Sequence, residues 1–299
     1  MTRVGVVDLG TNSTRLLVAD VEDGDVREFE RRLVITRLGE GVDTGRELLP
    51  AAIARVEGVL TEFGRTIESC GVERTLAFAT SAVRDATNGA AFLGALEREH
   101  GFTTRLLSGH EEALLTFRGV SAGRELREPT LVVDVGGGST ELIAGGPEGV
   151  AFHTSLNLGC VRLTERFPSD PEGAAGQVRT TLGASVPDDV GPTAASGVAG
   201  TVTQLATLDL GLDEEVPEVV HGHRLARATV AAQVEWLGAL PVEEIRALRG
   251  MNPDRAPVIV AGAVVVRETL AHFGLSELEV SEKDILHGAA LAAAELPAG

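Results

Sequence analysis

Val6-Val7-Asp8-Leu9-Gly10-Thr11-Asn12-Ser13-Thr14 and Val132-Val133-Asp134-Val135-Gly136-Gly137-Gly138-Ser139-Thr140 follow one pattern. Each runs from an apolar strand through Asp, an apolar residue, Gly and two small or polar residues to Ser and Thr, and a second apolar stretch follows. One Gly-containing hairpin is an ordinary turn. Two copies, one opening each half of a 299-residue chain, predict a duplicated strand–turn–strand unit and two related domains facing a shared cleft.

The chemistry of the repeat is that of phosphate binding. Gly lets a backbone turn sharply and approach a ligand closely, and successive N–H groups in such a turn form an anion-binding concavity. Ser13, Thr14, Ser139 and Thr140 add hydroxyl donors. Asp8 and Asp134 would repel a phosphate directly, and make sense with a divalent cation between carboxylate and phosphate.

Working outward, Val4 to Val7 reads as a buried strand with Arg15 to Asp20 as its hairpin partner. Pro50 opens a helix in which Ile53, Val56, Leu60, Phe63 and Ile67 share one face. A strand over Thr75 to Ala79, a helix over Asn88 to His100, a strand over Thr103 to Leu107 and a helix from Ser108 follow. In the second half, Leu131 to Val133 and Glu141 to Ala144 read as strands. Helices are expected over Thr201 to Leu208, Arg224 to Leu240, Ala256 to Phe273 and Asp284 to Glu295, with a strand over Leu278 to Ser281. This alternation predicts an α/β fold. The polar stretch Ser121 to Pro129 is the candidate boundary. It gives an N-terminal domain of residues 1–126 and a C-terminal domain of 127–284, with the terminal helix, 285–297, a candidate to pack back on the first.

Composition narrows the functions. Hydrophobic residues make up 43% and aromatic residues 3%, so the core must be aliphatic. A formal net charge of −18 argues against a nucleic-acid or anionic-lipid partner. A polyanion must then be met locally, by backbone N–H groups, Arg and metal, since Lys283 is the one lysine. Cys70 and Cys160 fit two free thiols. Residues Met1 to Gly10 lack the features of a signal peptide, and the longest apolar run, Ala256 to Val266, is too short to span a bilayer. A cytoplasmic protein without a membrane partner is expected; a homodimer is left open.

A third small-residue loop, Ser196-Gly197-Val198-Ala199-Gly200-Thr201, enters the helix at Thr201, where free N–H groups and the helix dipole attract anions. With this loop the chain resembles the actin, sugar-kinase and chaperone ATPase superfold, that is, two actin-like (ribonuclease H-like) domains with an interdomain cleft. Within it, the chain resembles the exopolyphosphatase / guanosine pentaphosphate phosphatase family, in its short two-domain form. The segments that carry this are Val7 to Ser13, Ala79 to Asn88, Ser108 to Ala113, Asp134 to Glu141 and Leu158 to Arg162, in the family's order. Ala199 stands where relatives often have Ser, and Leu286 where some have Arg.

The resemblance implies hydrolysis of a terminal phosphoanhydride with Mg²⁺, or Mn²⁺ in its place. Inorganic polyphosphate is the expected substrate; guanosine pentaphosphate, or a non-catalytic sensor of either ligand, is the alternative. It implies metal contacts from Asp8 and Asp134, and substrate contacts from Gly10, Thr11, Asn12, Ser13, Arg84, Gly136, Gly137, Gly138, Ser139, Glu141, Gly200 and Thr201. Arg162 is a further candidate for phosphate. The family's catalytic carboxylate maps to the pair Glu111-Glu112. Ser108 with Glu111 three residues later is a capping-box pattern, which gives Glu111 a structural task. Glu112 has no such task and is the expected general base.

Overall fold

The computed structural model describes residues 1–123, 126 and 128–296. Arg124, Glu125 and Arg127 of the candidate boundary, and Pro297 of the expected terminal helix, lie outside the described residues. The chain divides into two compact units, Met1–Arg124 with Lys283–Gly299, and Glu125–Glu282.

The first unit begins with an antiparallel meander of β1 (Thr2–Leu9), β2 (Ser13–Glu22) and β3 (Asp25–Ile35). It continues with α1 (Val42–Gly45), α2 (Pro50–Ser69), β4 (Arg74–Ala79), α3 (Ser81–Asp85), α4 (Gly89–His100), β5 (Thr104–Leu106) and α5 (Gly109–Val120). β4 runs parallel to β1 and β5 parallel to β4, giving the order β3-β2-β1-β4-β5. β1 is buried from Val4 to Leu9, as its near-continuous apolar run requires of a strand covered on both faces. α2 starts at Pro50, whose missing N–H costs nothing at a first helical position. Its Ala52, Val56, Leu60 and Phe63 recur at three and four residues and pack on Val7, Leu9 and Leu16. β3 has no counterpart among the expected strands; it is an edge strand in which only Val26 is buried.

The second unit repeats this plan. β6 (Thr130–Val135), β7 (Thr140–Gly146) and β8 (Gly149–Leu156) form its meander. After them come α6 (Cys160–Arg166), α7 (Pro171–Ser185), β9 (Ala194–Val198), α8 (Ala199–Asp209), α9 (Pro217–Val220), β10 (Arg224–Ala226), α10 (Arg227–Gly238), α11 (Val242–Arg246), α12 (Ile259–His272) and β11 (Glu277–Val280). The sheet order is β8-β7-β6-β9-β11-β10, with β9 parallel to β6 and β11 parallel to β9. Its first five strands reproduce the topology of the first sheet, so the fold is α/β and built from the two related units that the duplicated motif predicts, as the resemblance to actin-like domains also implies.

Two local expectations are corrected. The helix expected over Arg224 to Leu240 begins at Arg227, because Arg224–Ala226 pair antiparallel with Glu277–Glu279 and their backbone groups are used there. The expected loop Ser196 to Thr201 is the end of β9 and the first turn of α8.

α13 (Ile285–Glu295) returns the chain to the first unit. Ile285, Leu286, Ala289 and Ala290 are buried among Val4, Val6, Leu17, Ala19, Leu76 and Phe78. Leu286 is fully buried and adds to this core. α13 also lies tightly against α5: a Cβ on Gly119 would overlap the Asp284 carbonyl, and a Cβ on Gly288 the Leu115 carbonyl. Among the described residues, no helix is long and apolar enough to cross a membrane.

Candidate active site

In the first unit, the turn between β1 and β2 is closed by Gly10 N–H donating to the Ser13 carbonyl at 3.0 Å. The segment after β3 holds it from behind. Thr36 and Arg37 donate their N–H groups to the Asn12 carbonyl, and Gly39 donates to that of Thr11. The Thr14 and Thr36 hydroxyls meet at 2.9 Å. The second unit repeats the device: Gly136 N–H donates to the Ser139 carbonyl, also at 3.0 Å. Here Cys160 donates to the Gly136 carbonyl, and Val161 and Arg162 to that of Gly137. Thr140 donates its hydroxyl to the Leu158 carbonyl. Each phosphate-type loop is thus a rigid turn clasped by the chain that follows the third strand.

The residues facing the two aspartates differ. Asp8 is the cross-strand partner of Arg15, whose Nε and Nη2 both donate to Asp8 Oδ2, at 2.9 and 2.6 Å. Burial pushes the Asp8 carboxyl above its ordinary value, against the lowering effect of Arg15. Asp8 Oδ1 is buried and, among the described residues, has no hydrogen-bond partner. Asp134 is the cross-strand partner of Glu141, and both are buried. Ser155 donates its hydroxyl to Glu141 Oε1 at 2.7 Å. Two carboxylates opposite one another on buried strands repel, and a divalent cation bound beside them would offset that repulsion.

α3 joins the first loop to the catalytic candidates. Its Ser81 Oγ lies 2.9 Å from Thr11 Oγ1, and its Arg84 Nη1 donates to Glu112 Oε2 at 3.0 Å and to the Leu107 carbonyl at 2.7 Å. Glu112 is buried in the first turn of α5. Its neighbour is turned to another task. Ser108 N–H donates to Glu111 Oε2 at 2.9 Å, while Glu111 N–H donates back to Ser108 Oγ at 3.2 Å. These bonds hold the Glu111 carboxyl below its ordinary value. Arg105 also binds Glu111, which is exposed to solvent.

The Ppx/GppA phosphatase family pattern matches residues 17–295. The chain belongs to this family. Exopolyphosphatase 2 of Mycobacterium tuberculosis is 39% identical, over 98% of this chain and 99% of its own. A crystal structure of an exopolyphosphatase-like protein is 32% identical, with a TM-score of 0.91 over 97% of this chain and 98% of its own. The crystal structure of the Aquifex aeolicus Ppx/GppA family member is 29% identical, with a TM-score of 0.82 over 97% of each chain.

For this Ppx/GppA chain, geometry adds two arginines, Arg15 and Arg255, to Arg84 and Arg162, which the motifs single out. Arg15 clamps Asp8. Arg162 is buried and donates from Nε to the Gly138 carbonyl at 2.8 Å, which sets the shape of the second loop. Arg255 lies over the start of α8, where a Cβ on Gly200 would overlap its guanidinium. Thr201 is buried beside it and directs its hydroxyl to the Val135 carbonyl at 3.4 Å. The register of the first hairpin could have found Arg15, since it stands opposite Asp8; Arg255 lies more than fifty residues from the loop it covers and carries no local signal.

Proposed function

We propose that this family member is a metal-dependent exopolyphosphatase, which releases terminal phosphate from inorganic polyphosphate by attack of water. The carrying observation is the division of labour in the first turn of α5. Glu111 is consumed by the helix cap, whereas Glu112 is buried against Arg84. A carboxylate fixed in that way suits removal of a proton from water, typically worth about 10²–10⁴-fold in rate. Arg84 orients Glu112, and the name of the Mycobacterium relative supports polyphosphate as substrate.

The donor set fits a divalent cation. Asp8 presents one buried, unpartnered oxygen, and Asp134 and Glu141 form a buried like-charged pair. Among the described residues, no group of three or more His, Cys, Asp or Glu is placed to hold a metal by itself, so phosphate oxygens or water must complete the coordination. Asp8 in the first unit, and Asp134 with Glu141 in the second, are the residues that would contact such an ion, which when bound offsets phosphate charge. The turns at Gly10 to Ser13 and Gly136 to Ser139 bind phosphate oxygens through backbone N–H groups. Arg255 and the start of α8 add positive charge. Phosphoryl transfer of this kind depends mainly on positioning and charge stabilisation.

The test is phosphate release from short polyphosphate, long polyphosphate and guanosine pentaphosphate, side by side at equal salt, with Mg²⁺ and with EDTA. Metal-dependent release with a higher kcat/KM on polyphosphate is expected. A clear preference for the guanine nucleotide would reassign the substrate, and full activity in EDTA would remove the metal from the mechanism.

A further inference from the structure

Asp284 stands immediately before α13, far in sequence from the phosphate loops, yet two bonds link it to Asp8. Arg15 uses Nε and Nη2 on Asp8 Oδ2 and its remaining nitrogen, Nη1, on Asp284 Oδ2. The side chains of Asp8, Arg15 and Asp284 are 6%, 13% and 3% exposed, so water screens none of these charges well. Asp284 Oδ1 accepts the Leu286 N–H at 2.9 Å as the cap of α13. Arg31 Nη2 lies 3.7 Å from Asp284 Oδ2, and His287 Nδ1 lies 3.6 Å from Oδ1. Every contact falls within the first unit.

We infer that Asp284 is a positioning residue for Asp8: acting through Arg15, it fixes the orientation of the Asp8 carboxylate that would hold a divalent cation. This rests on the metal-binding reading of Asp8 given above. Arg15 spends two nitrogens on Asp8 Oδ2 and its third on Asp284 Oδ2, so Asp284 anchors the guanidinium that holds Oδ2, and Oδ1 is left without a hydrogen-bond partner among the described residues. Arg31, Glu28 and His287 then surround Asp284, not Asp8. Partners that orient a metal-binding side chain typically govern metal affinity by about 10–100-fold.

Capping and charge can be separated, because Asn caps a helix about as well as Asp. Mn²⁺ binding is measured by electron paramagnetic resonance, without substrate, for wild type, Asp8→Asn, Asp284→Asn and Asp284→Glu, with a melting temperature for each. The expected result is a Kd raised about tenfold or more in Asp284→Asn when measured well below its melting temperature, with that temperature lowered because Arg15 and His287 lose a buried charged partner, and affinity recovered in Asp284→Glu. Asp8→Asn weakens Mn²⁺ at least as much. Unchanged affinity in Asp284→Asn beside a clear loss in Asp8→Asn overturns the positioning role and leaves the metal reading intact. If Asp8→Asn binds Mn²⁺ as wild type does, the metal reading fails and the positioning role falls with it.

Discussion

Arg84 Nη1 donates to Glu112 Oε2 at 3.0 Å while also donating to the Leu107 carbonyl at 2.7 Å. One guanidinium nitrogen therefore ties the motif helix α3 both to the start of α5 and to its carboxylate. Arg84 is read from sequence as a phosphate contact; its position makes it first a support for the base.

Arg84→Met should therefore do more than weaken substrate binding. Met keeps the aliphatic stem but removes one charged donor from a buried carboxylate, at a cost of about 1–3 kcal/mol. We expect kcat to fall as well as KM to rise, with a lower urea midpoint. A rise in KM alone, at unchanged kcat and stability, would return Arg84 to a pure binding role.

Gly119→Ala and Gly288→Ala test how α5 is seated. Each added methyl would meet a backbone carbonyl of the facing helix, and overpacking typically costs about 1–3 kcal/mol. Because α5 carries Glu112, kcat should drop along with the urea midpoint in both variants. Wild-type stability in either would contradict the tight α5–α13 packing.

His287 predicts a pH-dependent part of the stability. Burial would lower its basicity, but bonds to Asp284 and to Glu28, 3.0 Å from Nε2, outweigh it, and its pKa is raised above the ordinary histidine value. Glu28 and Asp284, in turn, are held below the ordinary carboxyl range: burial opposes the shift, and His287 and Arg31 overcome it for Glu28, with Arg15 added for Asp284. With the folded-state value raised, the histidine's contribution is full below its unfolded value of about 6.5 and fades as pH rises through the folded value. The gap in urea midpoint between wild type and His287→Gln should thus be largest below about pH 6.5 and shrink as pH rises through the raised folded-state value. A gap that widens with pH would show that the histidine is neutral in the folded protein.

Asp134→Asn keeps the size of the side chain but removes its charge beside Glu141, and should abolish most metal-dependent phosphate release. A fully active variant would contradict the role given to this pair.

What the sequence disclosed was whatever is local. The duplicated Asp–Gly turns, the helix face of Val56, Leu60 and Phe63, and the Ser108–Glu111 capping box are set by neighbours within a few residues, and they are found in the structure. β3 escaped notice because an edge strand needs few buried residues, and Arg27, Glu28, Glu30, Arg31 and Arg32 mask its alternation. β8 and α7 are likewise poor in large apolar residues, although Asp170 before Pro171 carries a readable helix start. Arg224–Ala226 resembles a helix start until its partner, Glu277–Glu279, is known. Arg255 and Asp284 matter through residues distant in sequence, which no window reveals.

Glu112→Gln and Glu111→Gln, compared for kcat and Kd on polyphosphate in Mg²⁺, test the division between base and cap most directly. Gln at 112 keeps size and hydrogen bonding but cannot take a proton from water, so kcat should fall about 10²–10⁴-fold with Kd retained or tightened. Gln at 111 can still close the capping box, and only a modest loss of melting temperature is expected. Near-normal kcat in Glu112→Gln, beside an inactive but folded Glu111→Gln, would contradict the account and exchange the two roles.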